Sequence, residues 1–183
     1  MSMTTPGQTV GPFFGTALPF DGGNHLVPPG SAGAIQFHGI VTDGDGRPVP
    51  DALLEIWQAD GEGAIPEATG SLHRDGWTFT GWGRAATNDD GRYGFSTVVP
   101  GATAPGAAPF IGVTVFARGL LNRLFTRAYV PGDQLGGDAL LNSLPADRRH
   151  TMIATRDHLG LRFDISLQGA NETVFLRYPG HRR

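Results

Sequence analysis

Ile35-Gln36-Phe37-His38-Gly39-Ile40-Val41, Asp43-Gly44-Asp45-Gly46 and Ala52-Leu53-Leu54-Glu55-Ile56-Trp57 follow one another along the chain, and the fold class turns on them. The first and last runs alternate as half-buried strands do, because successive side chains of an extended chain point to opposite faces. The Asp-Gly pairs between them supply a tight turn, so the stretch reads as a hairpin or meander. Further along, Asn88-Asp89-Asp90-Gly91 is a second turn, and Arg92-Tyr93-Gly94-Phe95-Ser96-Thr97-Val98-Val99 alternates until Pro100-Gly101 stops it. Ile111–Phe116 and Leu124–Val130 form a third group, linked through Gly119-Leu120-Leu121-Asn122. Leu161–Leu167 and Thr173–Leu176 close the chain around Gly169-Ala170-Asn171-Glu172. Only residues 138–155 turn helical, with Leu140, Leu141 and Leu144, and with Pro145 placed for a first helical turn; two short helices are expected there.

About eight short strands with one helical insertion predict an all-β protein, a β-sandwich. Residues 1–33 are rich in Gly, Pro and Thr without periodicity, and read as an irregular arm that needs a surface to lie on; residues 34–183 form one domain. The 183 residues, 39% of them hydrophobic, suffice for one core of ordinary size. With 28 Gly and 14 Pro between the apolar runs, the chain is rich in turns rather than disordered.

Composition excludes several functions. The net charge of -3 and the absence of any basic run leave no field for a nucleic acid. All 14 basic residues are Arg, which rules out a Schiff-base lysine and a P-loop lysine. With no cysteine there is no thiolate nucleophile, thiolate metal site or disulfide, as suits a reducing compartment. Neither a signal peptide nor a membrane span of about 18 apolar residues is visible, so a cytoplasmic, soluble protein is expected.

Candidate sites are few. Asp43-Gly44-Asp45-Gly46 opens like a calcium loop but lacks the later ligands, and reads as a plain turn. No Gly-x-Ser-x-Gly is present. The six histidines show no i, i+2 or i, i+4 pair, and a metal site from His73 and Asp75 is a weaker reading than surface roles. Tyr93, Tyr129 and Tyr178 lie in or beside strands and read as core or half-core aromatics. Arg127 sits mid-strand among apolar residues; it either pairs with a buried acid or faces a site that needs a fixed positive charge. In Gln8-Thr9-Val10-Gly11-Pro12-Phe13-Phe14, Gly11 permits close backbone approach and Pro12 fixes direction.

The runs from His38 to Asp60, Gly81-Trp82-Gly83-Arg84 and Asp89–Phe95 together resemble the catalytic domain of intradiol ring-cleavage dioxygenases, which open catechols with ferric iron held by two Tyr and two His. The family's two His stand as His-x-His on one strand. In the matching strand Pro109-Phe110-Ile111-Gly112-Val113-Thr114-Val115, Phe110 and Gly112 occupy those positions. The segments matching the metal-binding tyrosines, Ala64–Thr69 and Gly101–Pro105, contain no phenol. The chain is therefore similar to the non-metallated α subunits of the αβ members of the family.

That resemblance implies Fe(III) on a β subunit and not on this chain. It also implies a hetero-oligomer of αβ units, protocatechuate (3,4-dihydroxybenzoate) and O2 as substrates, and a place in aromatic catabolism by the β-ketoadipate pathway. It further implies that the arm of residues 1–33 packs on the partner subunit, with substrate-binding roles for Thr9, Gly11 and Pro12, lining the pocket mouth across the subunit boundary. Arg127 would lie at the edge of the partner's active site and favour an anionic substrate. The turn Asp45–Ala52 before a strand also occurs in non-enzymatic transthyretin-like β-sandwich modules, the alternative reading.

Overall fold

The computed structural model describes residues 11, 13–67, 72 and 74–178. Two β-sheets face each other across one core. The strands are β1 (Ile35–Thr42), β2 (Leu53–Gln58), β3 (Trp82–Ala86), β4 (Arg92–Thr97), β5 (Phe110–Phe116), β6 (Leu124–Tyr129), β7 (Thr155–Arg156), β8 (Gly160–Arg162) and β9 (Ile165–Ser166). One sheet has the order β4-β1-β8-β7, with β9 also paired to β1; the other has the order β3-β2-β5-β6. Inward-facing residues from both sheets meet in the core: Phe37, Val41, Tyr93, Phe95, Phe163 and Ile165 on one side, Leu54, Ile56, Ile111, Val113 and Val115 on the other. Phe37 stacks on Phe95 and Phe163 and meets Tyr93 edge-on, so one aromatic cluster fills the middle of the first sheet.

The expected hairpin between residues 35–41 and 52–57 is not formed, since β1 and β2 belong to opposite sheets. The turn itself is present: the Asp43 carboxylate accepts the amides of Asp45 and Arg47, and Val49 N–H returns to the Val41 carbonyl. The pairing ends at Thr42–Pro48 because the Val41 amide donates to the Gly91 carbonyl and β4 takes that flank of β1 from Ile40 onward, and the chain crosses to the other sheet.

Strand β1 runs antiparallel to β4 and parallel to β8 and β9, changing parallel partner at Gly39. A Cβ on Gly39 would stand 2.0 Å from the Phe163 carbonyl oxygen, so only glycine lets the two chains pass that closely. The run 161–167 is broken there into β8 and β9, and the run 173–176 makes only an isolated bridge from Leu176 to Phe125.

The helical insertion consists of the 3₁₀ turns Asp133–Gly137 and Arg149–Met152 around helix α2 (Ala139–Ser143). It folds over the outer face of β6, where Leu141 and Met152 close a second small core on Tyr129 and Ala108. At the other edge of that sheet, residues 13–27 begin with the one-turn helix α1 (Phe14–Ala17) and lie on the chain's own sandwich. Leu26 enters the main core, its amide donates to the Ser96 carbonyl, and the Arg84 amide donates to the Gly23 carbonyl.

Candidate functional site

Side chains at alternate positions of β2, β3, β5 and β6 point away from the core, and a cavity of about 320 Å³ lies against this outer face. Trp57, Trp82, Phe110 and Tyr178 form apolar walls, Gly112 opens the floor, and Glu55 and Arg127 are the charged groups lining it. The two charges have different surroundings. Glu55 Oε1 accepts from Arg84 Nε at 2.9 Å and from Nη2 at 2.6 Å, so its charge is neutralised within the sheet.

Arg127 faces Gly112 across the β5–β6 ladder, and its guanidinium carbon lies 3.9 Å from the centroid of the Phe110 ring. Its Nη1 donates to the Tyr129 hydroxyl at 3.2 Å, and that hydroxyl lies 3.0 Å from Asp138 Oδ1. Among the described residues no carboxylate forms a salt bridge with Arg127. The buried acid that a mid-strand arginine suggests is thus present as Asp138, but with a phenol between them. Burial pushes the Tyr129 phenol up to about 12; the Arg127 bond and charge pull against it, and Asp138 reinforces it.

Phe110 and Gly112 both stand on the outer face of β5, where the resemblance expects the paired imidazoles. They offer a metal nothing. Tyr93 is buried in the core with its hydroxyl on the Phe163 carbonyl, and Tyr129 is engaged as above. No group of three or more His, Cys, Asp or Glu among the described residues could hold a metal ion. The donor set of this face does not fit ferric iron, which needs anionic oxygen and imidazole donors together.

Of the other expected site residues, Thr9 and Pro12 lie outside the described residues, as does His73. Gly11 has φ +82°, and among the described residues a Cβ there would meet no atom within 4 Å, so backbone direction rather than crowding calls for glycine. It does not line the Arg127 cavity. Asp75 caps its own turn, accepting from the Trp77 and Thr78 amides.

A sandwich of this topology with an aromatic-walled cleft on one sheet defines a class. The dioxygenase family model matches residues 10–169, and the chain belongs to that family, in its intradiol branch. It is 40% identical to the protocatechuate 3,4-dioxygenase alpha chain of Burkholderia cepacia, over 93% of this chain and 95% of that one. It is 37% identical to the alpha chain from Pseudomonas putida, over 95% and 96%. The Burkholderia cepacia beta chain is 33% identical, over 78% of this chain and 68% of that one. Among solved structures, the dioxygenase domain of a dioxygenase carbohydrate-binding protein fusion from Streptomyces sp. SirexAA-E superposes with a TM-score of 0.59 at 28% identity, covering 80% of this chain and 88% of that one.

Proposed function

We propose that this chain is the non-metallated α subunit of a protocatechuate 3,4-dioxygenase. With a β subunit it forms αβ units of a higher hetero-oligomer in the cytoplasm. The assembly adds both atoms of O2 to 3,4-dihydroxybenzoate and cleaves the bond between the two hydroxyl-bearing carbons, giving 3-carboxy-cis,cis-muconate. The observation that carries this reading is the 40% identity to an alpha chain matched nearly end to end, and the outer face of β5 supports it, with Phe110 and Gly112 standing where the resemblance expects the paired imidazoles.

Fe(III) belongs on the β partner, and the α chain alone is inactive. Its own contribution is shape and charge. The N-terminal arm, through Thr9, Gly11 and Pro12, walls the pocket mouth against the partner, and Arg127 presents a fixed cation to the carboxylate of the substrate.

Expressing the chain alone and with its β partner tests the reading. The pair should take up oxygen with protocatechuate and carry iron; the lone chain should do neither. Stoichiometric iron with a phenolate-to-iron absorption band in the lone chain refutes it.

A further inference from the structure

Tyr129 and Asp138 do more than complete the packing of the helical insertion. Both are buried, at 0% and 6% exposure, and a buried carboxylate on this side of the sheet would ordinarily be paired directly with the nearest cation. Here no salt bridge to Asp138 is formed among the described residues, and Arg127 lies one phenol away. A carboxylate can only accept, so the Tyr129 proton points to Asp138 and the phenol's lone pair is left for Arg127. The direction of the chain Arg127 to Tyr129 to Asp138 is therefore fixed at both ends.

Asp138 is itself held in place as the N-cap of α2, its Oδ1 accepting the Leu141 amide at 3.0 Å. The Phe110 ring supplies the second support, packed 5.7 Å from the Tyr129 ring and lying beneath the guanidinium. One N–H of the guanidinium is used in this way. Among the described residues the rest of its fork has no hydrogen-bond partner, in a cleft whose other charge is already neutralised.

We propose that Tyr129 and Asp138 are positioning residues that hold Arg127 over Phe110 with its free N–H groups turned to the cleft, poised to receive the carboxylate of an aromatic acid. This rests on the assignment of Arg127 to substrate-carboxylate recognition made above. The phenol spacer keeps the Asp138 charge from quenching the guanidinium, as a direct ion pair would.

The test is steady-state kinetics on the assembled αβ enzyme, with protocatechuate and with uncarboxylated catechol. Arg127→Ala serves as the reference. Tyr129→Phe keeps the ring and should raise KM for protocatechuate about 3- to 10-fold, with KM for catechol moving less than about 2-fold and kcat changing less than KM. Asp138→Asn retains an acceptor oxygen and the cap and should stay near wild type, whereas Asp138→Ala should behave like Tyr129→Phe. If Tyr129→Phe assembles poorly, the Asp138 pair carries the same comparison.

A selective effect of Arg127→Ala without one from Tyr129→Phe, or equal rises for both substrates, overturns the positioning role alone. No selective effect from Arg127→Ala removes the carboxylate role of Arg127, and this inference with it.

Discussion

Two arginines on one sheet face, Arg84 on β3 and Arg127 on β6, have opposite surroundings. Around Arg84 every group is engaged: Glu55 neutralises it, the Leu18 carbonyl accepts from Nη1 at 2.8 Å, and Trp82 lies beneath it. Phe20 stacks on the same Trp82 at 6.0 Å, and Arg74 lies over both rings while donating to the carbonyls of Gly22, Gly23 and Trp82. This half of the face is a clamp that ties the arm to the sandwich. Around Arg127 the support is as close, but the charge is not neutralised in contact. A partly buried cation that is held without being cancelled is suited to a ligand, and one that is cancelled is suited to structure.

Reading both stability and substrate preference at both arginines tests this division. Arg127→Ala should raise KM for protocatechuate about 10- to 100-fold in the assembled enzyme, yet shift unfolding by less than about 1 kcal/mol. Arg84→Ala should cost about 2–3 kcal/mol in denaturant unfolding, since it strands Glu55 in a half-buried site, and should leave the preference for a carboxylated substrate in place. Reversed outcomes would assign the two sides of the face the other way round. Phe20→Ala should cost about 1 kcal/mol and speed proteolytic nicking of residues 13–27, which would mark the clamp as a tether rather than a core.

The smallest effect belongs to the opposite sheet, where His38 Nε2 lies 3.0 Å from Asp157 Oδ2 without good hydrogen-bond geometry. Partial desolvation raises the Asp157 carboxyl, but the Leu159 and Gly160 amides and His38 outweigh it and hold it below its ordinary value. A depressed carboxyl stabilises the fold above its ordinary pKa and loses that contribution as pH falls through the folded value. Asp157→Asn should therefore lower Tm slightly at neutral pH, with the difference closing on acidification below about pH 4. A gap that widens in acid contradicts the sign.

The sequence made most strands legible because β1 and β5 alternate cleanly and β4 and β6 are short apolar and aromatic runs between turns; the helical insertion announced itself through Leu140, Leu141 and Leu144, although no helix starts at Pro145, which precedes a turn and the 3₁₀ turn Arg149–Met152. Strand β3, Trp82-Gly83-Arg84-Ala85-Ala86, has little intrinsic β-propensity and exists because β2 offers it a full ladder. The hairpin reading failed because alternation gives the face of a strand but not its neighbour; β4 took that flank of β1 instead. Arg127 was visible as a charge in an apolar run. Its link to Asp138 was not, because that contact needs the insertion to fold back over β6. The Glu55–Arg84 pair was equally hidden: both residues have outward parity, but the long connection between β2 and β3 conceals the register that sets them opposite each other.

The passing of β1 beside Phe163 bears on how the chain is synthesised. The hydrogen bond from the Ile40 amide to Asp164 spans 124 residues, and the parallel neighbours of β1 leave the ribosome after every strand of the other layer. The β3-β2-β5-β6 layer can assemble while the nascent chain is still growing. The other layer waits with an open flank, so a message truncated before residue 160 should yield an aggregation-prone product rather than a smaller stable one.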